Sequence, residues 1–125
     1  MFKIIGSLIV VSPMLTACGG AAPPVQRLAD AQAAERSARE LGAEKEPSAQ
    51  LSLKLAQDQI ALAQKAVAEG ENEKAESLLV RAKADAELAI AKAREKAAKT
   101  EVQKAAEESA AQKSMNAGAG QGAVK

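Results

Sequence analysis

Residues 49–93, AQLSLKLAQDQIALAQKAVAEGENEKAESLLVRAKADAELAIAKA, decide the fold of this chain. In the first half, Ala49, Leu53, Ala56, Ile60, Ala63 and Val67 recur at alternating steps of four and three. In the second half, Ala75, Leu79, Ala82, Ala86, Ala89 and Ala93 repeat the same arithmetic. Each run is a heptad seam, the pattern that keeps one helical face turned toward a partner helix. Between them lies Gly70-Glu71-Asn72, in which Gly70 stops one helix and Asn72 can cap the next. So short a turn predicts that the two helices are antiparallel neighbours. Alanine-rich seams let their axes approach toward the lower end of the usual range of about 8–10 Å. Leu51, Leu55, Leu62 and Ala66 widen the apolar stripe of the first of these helices.

Working outward, Pro24 suits a first helical turn, where a missing N–H costs nothing. A shorter helix is expected over 24–41, with Leu28, Ala31, Ala34, Ala38 and Leu41 on one face and Gly42 at its end. Ala43 to Glu46 form a connector, and Ser48 is the expected N-cap of a helix over 48–69. The last helix is expected over 72–113. Beyond Ala93 it becomes a polar extension in which Val102 stands almost alone among charges. Glu95 and Lys99 are spaced to pair along its surface. Residues 114–125 read as a flexible, Gly-rich tail. The expected fold is all-α: an antiparallel hairpin preceded by a shorter helix, three coiled-coil-like helices in a domain over 24–113.

Composition agrees. Alanine is roughly a quarter of the chain, and Leu, Glu, Lys and Gln supply much of the rest. These are the strongest helix formers. A core built on alanine is thin, because burying one methyl contributes only about 0.8 kcal/mol. Self-association through the alanine seam, giving a homo-oligomer, is therefore a reasonable expectation.

The N-terminus carries a different signal. Lys3 precedes the apolar run Ile4 to Val11, and Leu15-Thr16-Ala17-Cys18 follows. This is the layout of a secretory signal over 1–17, too short to span a bilayer. The last four residues resemble the bacterial lipobox, which is cut between the positions of Ala17 and Cys18. That resemblance implies a diacylglycerol on the Cys18 thiol and an acyl chain, such as palmitate, on its freed amine. Two or more chains make a stable membrane anchor, whereas one gives only reversible binding. Gly19, which is not aspartate, favours the outer membrane under the sorting rules of such lipoproteins. Residues 18–23 then form a flexible tether, and the domain faces the periplasm.

Several functions are disfavoured. The chain has 17 basic and 16 acidic residues, and loss of Lys3 with the signal makes the two equal. A neutral chain lacks the basic excess that nucleic-acid binding requires. There is no His, and Phe2, the sole aromatic, lies in the signal. Cys18 is the only cysteine. The usual general base, soft metal ligands and stacking platforms are thus missing. Paired carboxylates such as Asp85 and Glu87 are two residues apart on a helix and point in different directions. An enzyme is not expected, nor is any cofactor or metal beyond the covalent lipid.

Residues 28–98 resemble the alanine-rich envelope lipoproteins grouped as domain of unknown function 4398. The matching features are Gly42 with the acidic connector to Pro47, Ser48-Ala49-Gln50-Leu51, Ala68-Glu69-Gly70-Glu71, and Ala84-Asp85-Ala86-Glu87-Leu88-Ala89. The resemblance implies a periplasm-facing helical domain and carries over no functional residues. The expected role is structural or interaction-based, with an envelope protein as partner. The alternative is a covalent tether to peptidoglycan through Lys125, at the end of the Gly-rich tail. There the chain is similar to the murein lipoproteins, which join a lipidated cysteine to a terminal lysine through a helical body.

Overall fold

The computed structural model describes residues 21–121. It contains three helices: α1 (Val25–Glu40), α2 (Pro47–Ala68) and α3 (Asn72–Gln121). Among the described residues there is no strand, and the all-α expectation holds.

Both inter-helix turns follow from a glycine. Gly42 has φ +81° and Gly70 φ +79°, a left-handed conformation that costs other residues energy. At the first turn, the Ala43 amide donates to the Ala38 carbonyl and the Gly42 amide to Arg39. At the second, Glu71 donates to Ala66 and Gly70 to Val67. This crossed pair of bonds is the Schellman closure, and it satisfies carbonyls that a helix end would otherwise leave bare.

The hairpin is antiparallel. Gln59 Nε2 donates to Asp85 Oδ2 at 2.6 Å, and Lys92 Nζ donates to Ser52 Oγ at 3.2 Å. The two bonds lie seven residues apart on each helix and run in opposite senses. Every expected seam residue of α3 is buried, from Ala75 to Ala93, and so are Ala49, Leu53, Ala56, Ile60 and Ala63 of α2. Val67 is half-buried and closes the lower cluster. Helix α1 runs parallel to the start of α3: Arg27 Nε meets Glu76 Oε1 at 2.6 Å, and Ala38 joins the cluster containing Leu53 and Ala89. The alanine seams are thus consumed within one chain, so they offer no free surface for self-association.

Three local expectations are corrected. Pro47 occupies the first helical position, which moves the start of α2 one residue earlier and makes Glu46 its N-cap. The Glu46 carboxylate accepts from the Ser48 amide at 3.4 Å and from its hydroxyl at 3.1 Å, so Ser48 donates rather than caps. Asn72 does not cap α3 either. It is the first helical residue, and its Nδ2 donates to the Ala21 carbonyl. Leu51, Leu55 and Leu62, expected to widen the buried stripe, are 65%, 41% and 54% exposed. The buried strip of α2 runs through Ala49, Ser52, Leu53, Ala56, Ile60, Ala63 and Ala66, and of the widening set only Ala66 falls within it.

Helix α3 also runs further than the 72–113 expected from sequence. It is unbroken to Gln121, where a flexible tail was expected from Ser114. Gly118 keeps a helical backbone without positive φ, and the Ser114 hydroxyl bonds back to the Ala111 carbonyl. Once a helix is nucleated, each added residue gains a bond, and no proline interrupts this stretch. At 50 residues, α3 is about 75 Å long, and about 40 Å of it extends past Ala93.

Candidate functional site

Among the described residues, the most buried charged side chain is Glu35, on α1. It lies four residues after Ala31 and three before Ala38, so the α1 seam brings it to the α2 interface. There its carboxylate accepts from Gln57 Nε2 at 2.9 Å and meets Arg39 Nε at 2.6 Å. Arg39 also reaches Glu44 Oε1 at 3.3 Å, which links α1 to the connector. A buried carboxylate needs such partners, and here both meet the same oxygen, Oε1. An open groove of about 340 Å³ runs past this cluster, lined by Gln32, Arg36, Gln57 and Gln64 among others. Its groups can give and accept hydrogen bonds, but none is a nucleophile poised beside a base.

A second hollow, about 370 Å³, opens at the α2–α3 turn between Ala21, Gly70 and residues 71–74. Lys74 Nζ meets Glu71 Oε2 at 2.6 Å there, and this hydrogen bond, with the carboxylate's charge, raises the lysine pKa. The Asn72 Oδ1 atom is buried at this end without a protein partner. On the α3 extension, Glu95 and Lys99 pair at 2.5 Å. The bond from Lys99 and its charge lower the Glu95 pKa, and the same contact raises that of Lys99.

Asp85 and Glu87 do not converge. Asp85 accepts from Gln59 across the hairpin, whereas Glu87 lies 3.9 Å from Lys83 on its own helix. Among the described residues, no group of three or more Cys, Asp and Glu could hold a metal ion, and no helix is long and apolar enough to cross a membrane. Ala17, Cys18 and Lys125, the sequence-derived site residues, lie outside the described residues.

The remaining surface feature is apolar. Leu51, Leu55 and Leu62 are spaced at four and seven residues along one exposed face of α2. Leu55 falls between Ser52 and Gln59, and Leu88 of α3, 46% exposed, falls between their partners Asp85 and Lys92. The two helices therefore show leucine on the same side of the hairpin. Gln57, which holds α1 through Glu35, points away from that side. Sequence reading missed both Glu35 and this face. The signal for Glu35 was present, since 28, 31, 35 and 38 continue a three-four repeat.

Residues 26–105 match the family described as Domain of unknown function (DUF4398). The chain belongs to this family. The DUF4398 match takes in nearly all of α1, the whole of α2 and α3 as far as Ala105, including Glu35 and the exposed leucines. It indicates no enzyme family. Neither a curated protein nor a solved structure matches the chain.

Proposed function

We propose that this DUF4398 protein is a lipid-anchored component of the cell envelope that works by helix docking, with no catalytic role. The observation that carries the docking reading is the exposed leucine face of the α2–α3 hairpin, which α1 does not cover. Clustered apolar side chains on an otherwise charged surface mark a protein interaction site. The anchor reading rests on Leu15-Thr16-Ala17-Cys18 behind an apolar run, and it puts two or more acyl chains on Cys18, in the outer membrane and facing the periplasm. Ala21, three residues after Cys18 and within the stretch expected to be a flexible tether, accepts a hydrogen bond from Asn72 at the turn end of the bundle, the end from which the anchor would lead. The test is to grow cells making the full chain with an alkynyl fatty acid and to compare it with Cys18→Ser. Label and membrane retention in the parent, both lost in the variant, are expected. An unlabelled parent, or a labelled Cys18→Ser protein, refutes the anchor.

A second reading is a covalent link to peptidoglycan through Lys125. What favours it is α3, which runs unbroken to Gln121 at the end of the molecule opposite Ala21. Sacculi boiled in detergent then retain the protein, and Lys125→Ala releases it. Retention of that variant counts against Lys125.

A further inference from the structure

The exposed face of α2 is itself a heptad seam. Leu51, Leu55, Asp58, Leu62 and Lys65 follow steps of four, three, four and three, and all five are exposed. The buried seam of α2 faces α3, so this second seam has no partner within the chain.

The pattern closes on itself under a two-fold axis. When two such helices run antiparallel with the axis between residues 56 and 57, Leu51 faces Leu62 of the other copy, and Leu62 faces its Leu51. Leu55 then faces Asp58, and Asp58 faces Leu55. In that arrangement the Asp58 side chain enters a hole bordered by Leu51, Lys54, Leu55 and Asp58 of the second copy, which brings Lys54 beside it. Each residue of one copy meets a counterpart that it meets again in return, as an isologous interface demands. A parallel pairing instead stacks Asp58 on Asp58 and Lys65 on Lys65, which like-charge repulsion opposes. Lys54 and Asp58 already pair within one helix at 2.5 Å, with side chains 66% and 52% exposed, so both are in place to switch partners.

We propose that the outer face of α2 is a self-association surface on which a second copy of this chain packs its own α2 in antiparallel orientation. This rests on the docking role given above to the leucine face, and it names the partner. Two copies so joined place their Ala21 ends beyond opposite ends of the paired α2 helices, more than about 34 Å apart. The anchored pair therefore lies along a membrane and does not stand on it.

The test uses the full chain in cells, with photoreactive benzoylphenylalanine at position 62. Irradiation is expected to give an adduct of two copies, attached within residues 46–54 of the second copy, the segment that holds Leu51. Attachment within residues 55–65 means a parallel pair and overturns the proposal. An adduct with a different protein overturns self-association while sustaining docking, and absence of any adduct overturns both. Asp58→Lys and Lys54→Asp provide the second arm. Each alone is expected to lower the two-copy adduct by more than about tenfold, and co-expression of the two to restore it. Both positions are exposed, so unchanged helicity of each variant shows that the fold is intact. Single variants that dimerise like the parent, or no recovery on co-expression, contradict the assigned geometry.

Discussion

Replacing Leu79 with alanine should cost this protein much of its stability. Among the described residues, Leu79 is the largest side chain that is fully buried, at 1% exposure. It belongs to the cluster that joins Ala31 of α1 to Ile60, Ala63 and Ala66 of α2, so it contacts the junction of all three helices. Leu79→Ala removes three carbons, about 2.4 kcal/mol at about 0.8 kcal/mol each. The cavity left behind adds to this, because most of the buried neighbours are alanines, with no side chains long enough to fill it. The expected loss is about 3 kcal/mol, within the range of about 2–5 seen for buried leucines. For a small domain with stability near the low end of about 5–15 kcal/mol, that is more than half the total. Urea unfolding followed by helical circular dichroism should show the midpoint falling by about 2 M, taking a slope of about 1.5 kcal/mol per molar. Val102→Ala is the control: Val102 is 69% exposed on the α3 extension, and its truncation should change stability by less than about 0.5 kcal/mol. A Leu79→Ala loss below about 1 kcal/mol, or one equal to the control, would refute the view that this cluster holds the three helices together.

Further expectations concern close packing, turn geometry and charge. Ala82 is fully buried, so Ala82→Leu should push α3 off its neighbours and cost about 1–3 kcal/mol; a higher melting temperature would contradict the close seam. At Gly70 an added Cβ meets nothing within 4 Å, so Gly70→Ala should cost only the left-handed backbone penalty of about 1–2 kcal/mol, measured by urea unfolding. The Glu95–Lys99 pair should make the extension most helical at intermediate pH. Glu95 has a lowered pKa, so its contribution is present above the unfolded-state value and disappears as pH falls through the folded one. Lys99 has a raised pKa, so its contribution is lost as pH rises through the folded value. Amide exchange at residues 95–100 across the pH range should show both losses, smaller at high salt because the pair is exposed.

The hairpin was legible because small residues at heptad spacing leave little choice of face, and Gly70 marks the turn. The side chains outside those seams were harder to assign. Leucine at 51, 55 and 62 has the chemistry of a core residue, yet alanines at 56, 63 and 66 take the buried positions of α2 and the leucines stay exposed. Glu35 has the chemistry of a surface residue, yet the α1 repeat carries it into the α1–α2 contact, where Gln57 and Arg39 meet its Oε1. In both cases position in the repeat outweighed residue type. The end of α3 was misjudged for a related reason: glycine and serine lower helix propensity, but they do not stop a helix that is already propagating.

The envelope assignment is best tested by the mass of the N-terminal peptide of the protein purified from cells that make the full chain. The peptide should begin at Cys18 and carry a diacylglycerol together with an amide-linked acyl chain. A peptide that still contains Ala17 joined to an unmodified Cys18 would contradict the lipid-anchored reading.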